Sequence, residues 1–253
     1  MKTPFDSFSK IRALRLPKAF TLTETVIAIG VLAVLLTGFI AVFTPAAQGI
    51  RRSISSEQAD RLTTTLEMEL ATLRANSESP APAPAFATSF DKAFKWIQEG
   101  NKPTNAIPIF VYQYRGDPTS IRPDGTPTPK TTITGEPGKN YIVQSMARRI
   151  GDTELEKDLK AIEGSVFFVK PTQLVFDAGE LKPGTAGKIM NADTPATVAA
   201  DTASYKEAVI AFSAEFHNVP TKSIAYLKSP TFTTRFNSTN NKPIFTRNLA
   251  VRR

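Results

Sequence analysis

The sequence predicts an α+β protein: one long N-terminal helix, then a mainly antiparallel sheet with long loops. Three observations carry this. No residue from Val26 to Phe43 is charged, and only Thr37 among them is polar. Beyond that run, Ile50, Ile54, Leu62, Leu66, Leu70 and Leu73 recur at helical spacing, with Arg51, Glu57, Asp60, Arg61, Glu67 and Glu69 between them. The remaining chain alternates short β-branched and aromatic runs with Pro/Gly-rich stretches, the pattern of strands joined by loops.

The elements follow in chain order. Residues 1–19 form a basic leader, with Lys2, Lys10, Arg12, Arg15 and Lys18 against the single acid Asp6. Half of the chain's net charge of +8 therefore lies in that leader. This weakens a reading of the basic balance as a nucleic-acid signature. Eighteen helical residues rise about 27 Å, close to the roughly 30 Å hydrocarbon core of a bilayer. Residues 20–47 are thus expected to span a membrane. Positive charge is in excess on the leader side, which predicts a cytoplasmic leader and an exported remainder. A buried core helix of this length would show a polar stripe, and this one shows none. A cleaved signal peptide has a shorter apolar region followed by a small-x-small site. Here Thr44-Pro45-Ala46-Ala47 puts a proline inside that site.

Residues 48–76 continue the helix in amphipathic form, and Asn76 to Pro80 terminates it. Pro45 removes a backbone donor and is expected to kink or locally unwind the helix. Glu24 to Asn76 would make a rod of about 80 Å, apolar all round in its first half and on one side in its second.

The segment Lys18-Ala19-Phe20-Thr21-Leu22-Thr23-Glu24 places one carboxylate at the start of the apolar run. Such a charge costs up to roughly 2.5–3.5 kcal/mol at mid-bilayer and less near an interface. The segment resembles the processing and methylation motif of the type IV pilin and type II secretion pseudopilin superfamily over about residues 17–47. In that superfamily a basic leader ends in a small residue, a phenylalanine follows, and a glutamate stands five residues into the mature chain. Those roles fall on Ala19, Phe20 and Glu24. Alanine stands where glycine is usual, and the helix proline falls later than in typical pilins.

The resemblance implies cleavage after Ala19 by a prepilin peptidase and N-methylation of Phe20. It implies a long helix laid across the sheet. As partners it implies other pilin or pseudopilin subunits, an inner-membrane assembly platform and the lipid bilayer. Cutting would free an amine on Phe20, and Glu24 of one subunit could meet that amine on a neighbour and fix the axial register. A purely local role for Glu24, at the positive end of the helix dipole or reaching the headgroups, is the plainer alternative.

Residues 77–253 are expected to form the exported domain. Residues 77–88 read as an extended Pro/Ala linker. Phe90 to Glu99 reads as a helix. Strands are expected at 107–114, 141–150, 165–169, 173–176, 208–216, 223–227, 231–236 and 243–251. A charged helix is expected at 152–162, and loops at 116–138 and 178–204. The domain is large for a simple major subunit, which points to a minor one. There is no cysteine, so disulfides and thiolate metal sites are excluded.

Signals for chemistry are weak. His217 is the one histidine, and its neighbours Glu215 and Asn218 make no catalytic spacing. The chain is therefore read as non-enzymatic. Gly184 to Lys188 hints at a phosphate loop, but Lys182 and Ile189 stand where glycine and a hydroxyl are required, so it reads as a turn. Some pseudopilins bind calcium in a late loop. Asp177, Glu180, Asp193 and Asp201 could supply oxygen ligands, but their spacing fits no known loop, and they read as solvated acids with no cofactor. The tail from Arg247 to Arg253 reads as an edge strand rather than a nucleic-acid contact. A membrane-anchored periplasmic binding or enzymatic domain is the alternative function.

Overall fold

The structure is a computed structural model that describes residues 21–74, 86–132, 134–177, 179–193, 196–236 and 241–253. The expected cut between Ala19 and Phe20, and most of the expected Pro/Ala linker, lie outside these residues. The chain divides into two units, Met1–Ile50 and Arg51–Arg253.

Helix α1 is Leu22–Ala71, 50 residues. It runs through Pro45 without unwinding. One missing donor costs about 3 kcal/mol in a helix interior, and the many bonds on either side hold the pattern. In the second unit α1 buries Ala59, Leu62, Leu66 and Leu70 on one stripe. Ile50, Ile54 and Leu73, expected on the same stripe, are exposed, and the helix expected to reach Asn76 ends at Ala71. Burial begins only where the helix meets the sheet and α2.

Helix α2 is Ser89–Gly100. Thr88 and Asp91 form a reciprocal capping box at its start. The end of α1 is capped across space: the ammonium of Lys92 donates to the carbonyls of Glu69 at 2.7 Å and Thr72 at 2.9 Å, and to the Glu69 carboxylate. This satisfies carbonyls that a helix terminus leaves without intrahelical donors.

The main sheet is built from β1 (Ile109–Ile121), β2 (Pro127–Pro129), β3 (Ile142–Arg149), β4 (Ile162–Asp177), β5 (Glu180–Pro183), β8 (Val209–Asn218) and β9 (Phe245–Arg252). β6 (Ile189–Met190) and β7 (Val198–Ala199) pair separately. β1 lies between β3 and β4, and the order continues β4–β8–β9, every named pairing antiparallel. β2 folds back on the end of β1, and β5 on the end of β4. With its long first helix the chain is α+β.

Alternation along the strands assigns the two faces. Ile109, Val111, Phe167, Val169, Phe212, Ala214 and Phe216 face the stripe of α1 together with Phe94 and Ile97 of α2. Phe110, Tyr112, Tyr114, Val166 and Phe168 face a second layer. That layer holds α3 (Leu155–Leu159), α4 (Ile224–Leu227) and α5 (Phe232–Arg235).

Local expectations are corrected at five places. The strands expected at 223–227 and 231–236 are α4 and α5. In a strand Thr234 would share the face of Phe232 and Phe236, yet it is exposed while both phenylalanines are buried. The strands expected on either side of Pro171 are one strand, β4. Pro171 lies beyond Val169, the last residue paired to β1, so the missing N–H interrupts no ladder on that edge. Its ring instead packs on α2, where a Cβ on Gly100 would come within 2.8 Å of it. The loop expected at 116–138 contains the β1–β2 hairpin, turned at Gly125 with φ of +78°. The expected loop at 178–204 contains β5, β6 and β7, and the helix expected over 152–162 is only the short α3.

Candidate functional site

In the first unit α1 presents an apolar surface with no partner among the described residues. Every residue from Thr21 to Ala46 is exposed. The helix is long and apolar enough to cross a bilayer. Two threonines on it turn their hydroxyls to the backbone. Thr37 Oγ1 donates to Ala33 O at 2.8 Å, and Thr44 Oγ1 to Ile40 O at 2.9 Å. Hydroxyls satisfied in this way can enter hydrocarbon without an orphaned donor.

Glu24 is the one acid in the first turn. Thr21 N and Thr21 Oγ1 each donate to Glu24 Oε2 at 3.1 Å, and Glu24 N donates to Thr21 Oγ1 at 3.2 Å. This is a capping box, which satisfies two backbone donors at the helix start. The T-x-x-E spacing that signals it is present in the sequence at Thr21 to Glu24. Of the three residues assigned a role by resemblance, Glu24 is described; Ala19 and Phe20 are not.

The second unit holds a charge network that sequence reasoning missed. Arg148 is fully buried and uses its whole guanidinium: Nε to Asp158 Oδ2 at 2.8 Å, Nη1 to Asp152 Oδ2 at 2.7 Å, and Nη2 to Asp124 Oδ2 at 2.8 Å. Arg122 Nη1 reaches the other Asp158 oxygen at 2.8 Å and Glu154 Oε2 at 2.9 Å. Tyr112 donates its hydroxyl to Asp158 Oδ2 at 2.7 Å. The network ties the β1–β2 turn and the start of α3 to the sheet.

Burial disfavours the charge of Arg148, but its anionic partners outweigh this and hold its pKa above the ordinary value. Asp124 is also desolvated, yet its bonds from Thr126 and Arg148 lower it. Glu154 is lowered by Lys157 and Arg122 despite partial burial. Asp152 is raised, because burial outweighs Arg148 there. Burial, then the charge of Asp158, pushes the Tyr112 phenol well up. These groups are mutually satisfied, so the network is a structural clamp. Arg148 carries no sequence signal beyond alternation in β3, which places its side chain on the inner face.

The remaining candidates are placed as follows. His217 is buried between Phe168 and Phe236, with ring centroids 6.0 and 5.5 Å away. Glu215 Oε2 lies 3.7 Å from its Nε2, too far for a hydrogen bond. The Gly184–Lys188 stretch is a turn, closed by Lys188 N donating to Thr185 O at 3.1 Å. The four acids considered for calcium have local partners. Asp177 and Glu180 lie 3.6 and 3.5 Å from Lys182. Asp193 accepts from Lys206 at 2.8 Å, and Asp201 accepts from Ser204 N at 2.8 Å. Among the described residues no group of three or more His, Cys, Asp or Glu could hold a metal ion. In the basic tail, Arg247 pairs with Asp60 at 2.5 Å and the Arg253 guanidinium lies 5.1 Å over Phe90.

Compared with models of known protein families, with curated proteins and with solved structures, the chain matches none.

Proposed function

We propose that this protein is a non-enzymatic, minor subunit of a type IV pilus or type II secretion pseudopilus. It is made with a cytoplasmic leader, held in the inner membrane by residues 20–47, cut after Ala19 by a prepilin peptidase and methylated on Phe20. It then joins sibling subunits through the apolar half of α1, on an inner-membrane assembly platform, with the sheet domain on the outer side.

One observation carries the reading: an unpartnered apolar helix with a single acid in its first turn, leading into an amphipathic half packed on an antiparallel sheet. A helix exposed over that length needs lipid or like helices around it. Glu24 gives such a bundle a charged reference point near one end.

The intact mass of the native, membrane-extracted protein tests this. Expected is a chain beginning at Phe20 and heavier by one methyl group. A native chain that retains Met1 while functional would overturn the proposal and favour a permanently anchored domain.

A further inference from the structure

A cleft of about 580 Å³ opens beside the β4–β5 hairpin, within the size range of ligand sites. Phe176, Leu181 and Val209 give it apolar walls, and Asp177, Asp193 and Glu207 line it as well. Among the described residues that line it there is no lysine or arginine, in a chain of net charge +8. Two of the acids have partners: Asp193 is bonded to Lys206 and Asp177 lies 3.6 Å from Lys182. Glu207 is different. Its Oε1 accepts from Ala192 N at 2.6 Å, while its Oε2 is buried and meets no donor. A desolvated carboxylate oxygen without a donor is costly and favours an incoming cation.

We propose that this cleft docks a partner polypeptide segment that presents an apolar side chain next to a lysine or arginine. The cation pairs with the Glu207 carboxylate and the apolar group fills the wall between the hairpin and β8. Two features favour a polypeptide over a small amine. The apolar surface runs out of the cleft, with Phe176 75%, Leu181 51% and Val209 38% exposed. Among the described residues β5 pairs only with β4 and is exposed throughout, so its outer edge offers backbone groups to an extended segment. The cleft lies in the sheet domain, so this inference does not depend on cleavage or fibre assembly.

The test uses the full-length protein in phosphatidylcholine nanodiscs, with empty nanodiscs as the blank. The probe is a labelled, acetylated short peptide of alternating leucine and lysine, read by fluorescence anisotropy against its leucine–glutamate counterpart. Expected is binding of the lysine peptide about tenfold or more tighter than the glutamate peptide. Glu207→Gln keeps the Oε1 acceptor and should weaken the lysine peptide by about tenfold or more. Phe176→Ser changes an exposed side chain and should weaken the peptide while leaving unfolding unchanged. No binding above the blank, equal affinity for both peptides, or full affinity in either variant overturns the proposal. So does displacement of the lysine peptide by n-hexylamine at equal concentration, which would make the site one for a small amine.

Discussion

Glu24 separates two explanations that the wild-type chain satisfies together. Its carboxylate closes a capping box with Thr21 through contacts of 3.1 and 3.2 Å. The proposed registry role needs its charge as well, to meet the amine of a neighbouring Phe20. Glu24→Gln keeps an acceptor three residues into the helix and removes the charge; Glu24→Ala removes both. Losing the cap costs about 1 kcal/mol, roughly a fivefold effect. A helix of 50 residues tolerates that as fraying of its first turn. Leaving a buried amine without its partner costs about 3–5 kcal/mol, a hundredfold or more in each subunit contact. The assay is recovery of the protein in sheared surface fibres, or in disulfide-trapped oligomers of a cysteine-tagged chain, with membrane insertion as the control. The expected result is that both variants insert normally and both fail to assemble. A glutamine variant that assembles within fivefold of wild type, beside a defective alanine variant, would reduce Glu24 to a cap and refute the registry argument.

Other consequences concern the sheet domain. Arg148→Met strands three buried carboxylates, so stability should fall by about 3–5 kcal/mol. At a typical urea slope near 2 kcal/mol per M, the midpoint should drop by about 1.5–2.5 M. The single tryptophan, Trp96, is buried in α2 on the opposite face of the sheet and reports global unfolding by its fluorescence. Lys92→Met should cost about 2–3 kcal/mol by removing the buried donor to the end of α1 and leaving Glu69 only its bond from Arg74 at 2.7 Å, read in the same titration. Arg247→Ala, by contrast, breaks a half-exposed pair with Asp60 and should change stability by less than about 1 kcal/mol. Acid should destabilise the domain. Asp124 and Glu154 are depressed in the fold, so their contribution is present above the unfolded carboxyl range near about 4 and lost as pH falls through their lower folded values. Asp152 is raised and has the opposite sign, its contribution being lost as pH rises through its folded value. Thermal unfolding from pH 6 to pH 3 should show a net fall, smaller in Asp124→Asn.

The sequence by itself determined the long helix, its apolar and amphipathic halves, the position of Glu24 and most of the strands. These are local quantities. A run without charge from Val26 to Phe43, leucines spaced four apart from Leu62 to Leu70, and a T-x-x-E step all act within a few residues. Only the tertiary structure decided the rest. Pro171 stays inside β4 because its neighbour on one edge ends at Val169. Phe232 opens a helical turn that ends at Phe236, because one aromatic layer under Phe168 takes both. Arg148 meets acids at 124, 152 and 158 only once β1, β3 and α3 have come together. The unmatched oxygen of Glu207 likewise becomes visible only when the hairpin and β8 enclose it. Burial, the quantity that gives these charges their energy, belongs to the packed chain and has no period in the sequence.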